Sequence, residues 1–227
     1  MSAIQAAVFD AYGTLFDVAG AARQAAAEPR GAALADVWPK LASDWRAKQL
    51  SYTWLRSLMG LHADFAAVTA DALDWAMEAS GISDPAIRAR LLALYDELPC
   101  HREAPAARAR LRDRGLPRAI LSNGTHAMLA SACRAAGLAD LVDPILSIED
   151  AGVYKPHPAV YRLANERLGL PAERILFVSA NGWDAAGAAA FGFRTAWINR
   201  LGEPADHLPG SPDHVLPDLS SVPDLVR

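Results

Sequence analysis

Cysteine is scarce in this chain, with two residues in 227. Cys100 and Cys133 show no CxxC spacing and no nearby histidine cluster, which excludes a disulfide framework and a zinc site. Both read as buried or half-buried thiols; a catalytic cysteine is the sharper alternative, but no flanking motif accompanies either. There is no Lys/Arg-rich run, and the formal net charge is -4. The electrostatic footprint of a nucleic-acid binder is therefore missing, and small molecules are the expected partners. The opening residues Met1-Ser2-Ala3-Ile4-Gln5 lack a basic stretch and lead into a short apolar run ending at Asp10. That run is too short for a signal peptide or a membrane span, so a cytoplasmic protein without membrane association is expected. No repeat or low-complexity tract interrupts the chain.

With 52% apolar and 21% charged residues, the composition is that of a globular protein. The length accommodates one large α/β domain, or a core carrying a smaller insertion. Four short apolar runs read as buried parallel strands: Ala6–Phe9, Ala119–Leu121, Ile175–Val178 and Thr195–Ile198. A further strand near Ile145-Leu146 would complete a sheet of about five. Helical spacing over Ala127–Ala136 and Val160–Leu168, with Gly137 and Gly169 placed to close each helix, makes strand and helix alternate as in a doubly wound sheet. From Asp17 to Pro99 the pattern is helical throughout, carried by Trp38, Leu41, Trp45, Trp54, Leu55, Leu58, Met59, Leu73, Ala76 and Met77. Gly31, Gly60, Gly81 and Asp84-Pro85 bound these helices. The expected organisation is a Rossmann-like α/β core from residues 1–17 and 100–227, with a helical cap subdomain over 18–99. The Pro- and Asp-rich chain beyond Gly202 reads as an irregular tail with one short strand or helix against the sheet.

In open parallel sheets, ligands bind outside the carboxyl ends of the strands. The residues there are Asp10 with Tyr12-Gly13-Thr14, Ser122-Asn123-Gly124, and Ser179-Ala180-Asn181-Gly182-Trp183-Asp184, with Lys155-Pro156 on a connection. A carboxylate, hydroxyl and amide groups, a lysine and a second carboxylate on one sheet edge suit covalent catalysis with Asp10 as nucleophile. An aspartate after a strand is often only a turn residue, and Thr14 could be a turn hydroxyl. Asp17 reads as the N-cap of the helix leaving the core, and His157, between two prolines, as an exposed residue at a helix start.

These four segments, in this order, resemble the motifs of the haloacid dehalogenase superfamily. Phe9-Asp10-Ala11-Tyr12-Gly13-Thr14-Leu15-Phe16-Asp17-Val18, Tyr52-Thr53-Trp54-Leu55-Arg56-Ser57-Leu58-Met59 and Val178-Ser179-Ala180-Asn181-Gly182-Trp183-Asp184 resemble more closely the L-2-haloacid dehalogenases. The resemblance spans nearly the whole chain. It implies hydrolysis of small (S)-2-haloacids to (R)-2-hydroxy acids with halide release, by an ester on Asp10 and inversion at C2. It also implies a homodimer. Catalytic roles carry over to Asp10, Thr14, Arg46, Lys155, Ser179, Asn181 and Asp184, with Arg46 over the site drawing off halide and Ser179 orienting Lys155. Substrate-binding positions carry over to Tyr12, Leu50, Phe65, Ser122, Asn123, Tyr161 and Trp183, although a lone arginine on a helix is usually solvated and aromatics at such spacing are usually core.

Phosphatases of the superfamily have a second Asp two residues after the nucleophile, where this chain has Tyr12. Halide leaves without a proton, so dehalogenation does not need that acid. Ala180 stands where a metal-binding carboxylate is expected, so no cofactor and no metal are expected. Lys155 beside Asp10 would keep the nucleophile ionised. Ala47, after Arg46, replaces a longer polar residue expected in close relatives and touches the question of halide or chain-length preference. The alternatives are a Mg²⁺-dependent phosphatase of the same superfamily and a catalytically silent binding protein.

Overall fold

The computed structural model describes residues 3–141 and 144–226; Met1 and Ser2, the first residues of the N-terminal stretch weighed above, lie outside the described residues. The chain runs β1 (Ala6–Phe9), α1 (Gly20–Ala27), α2 (Trp38–Met59), α3 (Phe65–Ala79), α4 (Pro85–Tyr95), α5 (Ala104–Asp113) and β2 (Arg118–Ser122). It continues with α6 (His126–Ala135), β3 (Ile145–Ser147), α7 (Pro158–Leu168), β4 (Ile175–Ser179), α8 (Gly182–Phe191), β5 (Arg194–Ile198) and β6 (His214–Leu216). All pairings are parallel, in the order β3-β2-β1-β4-β5-β6. The short tail element expected against the sheet is β6, which adds a sixth strand at its edge and is followed by a 3-10 turn at Leu219–Leu225.

β1 is central, and every residue in it is fully buried, which is why it reads as an uninterrupted apolar run and not as an alternation. The chain winds from β1 outward through β2 to β3, then returns to lay β4 on the other side of β1. The strand order reverses between β1 and β4, and there Phe9 pairs with Val178. Asp10 and the loop beginning at Ser179 therefore emerge side by side at the crevice where doubly wound sheets bind ligands. Ser122, at the end of β2, reaches the same edge.

Between β1 and α5 the chain is helical. Its entry and exit run together: Asp17 N donates to Pro99 O (2.9 Å), His101 N to Leu15 O (2.8 Å), and Phe16 bridges Cys100. Asp64 and Asp84 cap α3 and α4, each accepting a backbone N–H at 2.7 Å, and α2 ends at Gly60 with φ +67°. Asp17 does not cap α1, as the sequence suggests; it pairs with Arg23 at 2.6 Å, and the helix begins three residues later at Gly20. His157 does cap α7, its Nδ1 accepting from Ala159 N at 3.2 Å. The buried stripe of α2 is Leu41, Trp45, Gln49 and Thr53, half of it polar, while Leu55, Leu58 and Met59 face outward.

Candidate active site

At the end of β1 the chain turns through Gly13, whose φ of +91° suits glycine. The turn brings Thr14 back over Asp10. Thr14 Oγ1 donates to Asp10 Oδ2 at 2.8 Å and accepts from Ala180 N at 2.8 Å, tying the first loop to the one after β4. Asn181 Nδ2 donates to the same Oδ2 at 2.9 Å. The other oxygen, Oδ1, faces Lys155 Nζ at 3.1 Å, and that ammonium also meets Asp184 Oδ2 at 2.9 Å.

Asp10 is 5% exposed, Lys155 1%, and Thr14 and Asp184 are fully buried. Burial alone would pull the Lys155 pKa down, but the charges of Asp10 and Asp184 and their hydrogen bonds outweigh it, holding the ammonium above its ordinary range. Asp184 is pushed upward, by burial first and by the neighbouring Asp10 charge, with Lys155 pulling against both. Two carboxylates around one fixed cation leave Asp10 flanked by donors, the state in which it is an available nucleophile.

Behind this trio, Ser179 Oγ donates to Asp184 Oδ2 at 3.0 Å and accepts from Asn181 N at 3.1 Å. Ser179 thus meets the same Asp184 oxygen that Lys155 Nζ contacts. Tyr161, expected against substrate, is instead fully buried among Phe177, Phe191 and Phe193, with its hydroxyl donating to Asp184 Oδ1 at 2.8 Å. Gly187 permits this, since a Cβ there would come within 2.7 Å of the Tyr161 hydroxyl. Ser122 is fully buried and accepts from Gly124 N at 3.2 Å; Asn123 Oδ1 accepts from Lys155 N at 3.2 Å. Neither heads a helix: α6 starts at His126 with Thr125 as its N-cap.

From the helical insertion, Arg46 reaches across to the core. Its guanidinium donates to Tyr12 O at 3.2 Å, to Asn181 Oδ1 at 3.1 Å and to Gln49 Oε1 at 2.8 Å. Tyr12 packs on Tyr95, Phe65 and Phe16 with centroids 5.3 to 6.1 Å away, and its buried hydroxyl has no hydrogen-bond partner among the described residues. Trp183 meets Trp54 of α2 edge-on at 5.4 Å, and Leu50 lies half-buried one turn beyond Arg46. Ala47 is exposed, so its short side chain borders solvent and not Asp10. A cleft of about 520 Å³, lined in part by Trp38, Arg46, His101, Asn181 and Arg200, opens beside the site. Burial pushes the Cys133 thiol up to about 11.

Several neighbours were not legible as site residues. Arg200 donates to the carbonyls of Gly13 (3.2 Å) and Thr14 (3.1 Å) and pairs with Glu103 at 2.7 Å; His101 Nε2 also lies 3.2 Å from Gly13 O. Arg200 follows β5 closely, so the carboxyl-edge rule applied to that strand would have found it. Gln49 and Tyr95, behind Arg46, carry no such signal.

Residues 4–192 match the model of the haloacid dehalogenase-like hydrolase family. The chain is 41% identical over 227 residues to (S)-2-haloacid dehalogenase 1 of Pseudomonas sp. (strain CBS-3), covering 100% of this chain and 98% of the relative. A solved structure of a dehalogenase superposes with a TM-score of 0.93 at 37% identity, covering 100% of this chain and 98% of the other. L-2-haloacid dehalogenase from Xanthobacter autotrophicus with chloropropionic acid covalently bound gives a TM-score of 0.87 at 37% identity, with 98% of each chain covered.

Proposed function

Since the chain belongs to the haloacid dehalogenase-like hydrolase family, we propose that it hydrolyses small (S)-2-haloacids to (R)-2-hydroxy acids with release of halide, through an ester on Asp10. The observation that carries this reading is the company of Asp10: a nearly buried carboxylate held by Lys155, Thr14 and Asn181, with Tyr12 in an aromatic cluster where a proton donor would otherwise stand.

In the first step an Asp10 oxygen attacks C2 opposite the halogen. The carbon–oxygen bond forms as the carbon–halogen bond breaks, the electron pair leaves as halide toward Arg46, and C2 inverts. The substrate carboxylate lies toward Ser122 and Asn123, and Tyr12, Leu50, Phe65 and Trp183 line its apolar part. In the second step water near Thr14, Asn181 and Asp184 attacks Asp10 Cγ. The ester breaks on the enzyme side, the hydroxy acid departs with one proton, and the second proton leaves to solvent. Holding these charges away from bulk water strengthens each interaction.

The donor set does not fit the Mg²⁺ used by phosphatases of the superfamily. Lys155 Nζ stands between Asp10 and Asp184, Ala180 supplies no carboxylate, and the described residues contain no group of three or more His, Cys, Asp or Glu able to hold a metal. The decisive assay is chloride release from L-2-chloropropionate in EDTA. Sustained release is expected; no release with or without added Mg²⁺ overturns the reading, and release only with Mg²⁺ overturns its metal independence.

The protein acts as a homodimer in the cytoplasm. Exposed Leu55, Leu58, Met59, Leu61 and Trp75 on and beside α2 and α3 support a second copy covering that face, and two free thiols suit a reducing compartment. Among the described residues, no helix is long and apolar enough to cross a membrane. Sedimentation equilibrium showing only monomer would contradict the dimer.

A further inference from the structure

Gln49 is 1% exposed, a polar side chain on the buried stripe of α2, and its hydrogen bonds fix which way its amide points. The Thr69 hydroxyl donates its one proton to Phe65 O at 2.6 Å, leaving it only lone pairs to offer. The group 2.7 Å from it on Gln49 must therefore be the Nε2 donor. Tyr95 Oη brackets the amide, 3.0 Å from Nε2 and 3.2 Å from Oε1. With Nε2 committed to Thr69, Oε1 is left facing Arg46, whose Nη1 donates to it at 2.8 Å. Among the described residues, the other acceptors around the Arg46 guanidinium are Tyr12 O, Asn181 Oδ1 and the Tyr95 hydroxyl, so every one of them is neutral.

We propose that Gln49 is a positioning residue that aims the Arg46 guanidinium at the site through a buried neutral acceptor, leaving its positive charge uncancelled for an anion. A Glu at this position would still hold the guanidinium, but would pair its charge and face the Thr69 lone pairs without a proton to give. A Met would leave the charge intact but the guanidinium loose. Arg46 needs both properties, because a planar guanidinium stabilises an anion only when correctly placed and not already neutralised. In naming halide as that anion, the inference rests on the dehalogenation reading.

The test uses the full-length protein with Gln49→Glu and Gln49→Met, melting curves for folding, and two independent readouts. The first is kcat and KM on L-2-chloropropionate and L-2-bromopropionate; the second is bromide binding by calorimetry, which needs no turnover. In Q49M the loss of a hydrogen bond to a charged group, and in Q49E the pairing of the Arg46 charge, each predict about a tenfold or greater fall in kcat on the chloro substrate. The fall is smaller on the bromo substrate, whose leaving group needs less help, and KM changes little. Bromide affinity falls most in Q49E. Variants that melt like the parent, yet keep kcat, the chloro-to-bromo ratio and bromide affinity within twofold, overturn the inference. So does an equal loss on both substrates with bromide affinity unchanged, the mark of a merely structural role. If neither variant folds, Tyr95→Phe carries the test: the chloro-to-bromo ratio shifts in the same direction, and an unchanged ratio with unchanged bromide affinity refutes the proposal. If the parent releases no halide at all, the dehalogenation reading fails by itself, and Gln49 is judged on bromide affinity alone.

Discussion

Replacing Lys155 with Met should unbalance the centre of the site more than any other single change. The Lys155 ammonium is 1% exposed and stands 3.1 Å from Asp10 and 2.9 Å from Asp184. Met fills similar space but removes the one cation that, among the described residues, touches both carboxylates, leaving two buried like charges side by side. Breaking a buried ion pair by deleting one partner costs about 3–5 kcal/mol. Against a total stability of about 5–15 kcal/mol for a domain, that is a large fraction. For a chain of this length it corresponds to a Tm drop of about 6–20 °C. The loss must also depend on pH. Asp184 is already held above its ordinary range by burial and by the Asp10 charge, with Lys155 pulling it down; without Lys155 it rises further above its unfolded value near about 4, so the native state binds more protons and stability declines as pH rises. Urea denaturation of K155M should therefore show the largest deficit at pH 8 and a shrinking one toward pH 5. Adding Asp184→Asn should restore part of the stability by removing one of the two charges. A deficit below about 1 kcal/mol, or one independent of pH, would refute this charge balance.

Two further expectations follow from the same geometry. Tyr161→Phe removes a 2.8 Å hydrogen bond to Asp184 from behind, so kcat should fall and the acid limb of activity move to higher pH while KM stays nearly constant; a KM effect without a kcat effect would return Tyr161 to the substrate. Lys155 is held above its ordinary 10.5, and the Tyr12 and Tyr161 hydroxyls are raised well above 10.0 by burial. The stability that Lys155 contributes is fully present below its unfolded pKa and is lost only as pH rises through its higher folded value. Activity should accordingly hold a plateau from pH 7 to about 10, and a descending limb centred near pH 8 would contradict this assignment.

The strands were legible because burial on both faces leaves an apolar run with no alternation to hide it, and the motif residues because they sit where those runs stop. Two helices escaped for opposite reasons. In α5, Leu111 is the one large apolar residue among alanines and charges, and in α8 half the positions are alanine with the large apolar residues Trp183 and Phe191 only near its ends, so neither has contrast around its circumference. β6 is three residues on the sheet edge, below the length at which a pattern can be read. Tyr161 was misplaced because an aromatic near a motif looks the same in sequence whether it faces the ligand or stands behind the carboxylate that does. Gln49 was missed because a polar residue on a helix reads as solvated, and only the fold reveals Thr69 and Tyr95 waiting for its amide.

The central claim, that Asp10 forms the ester and water then attacks the enzyme rather than the substrate, is tested most directly by a single turnover in ¹⁸O-water with enzyme in excess over L-2-chloropropionate. Mass spectrometry should find one ¹⁸O atom in the peptide containing Asp10 and an unlabelled hydroxy acid. Label confined to the hydroxy acid, with the Asp10 peptide unchanged, would contradict the claim.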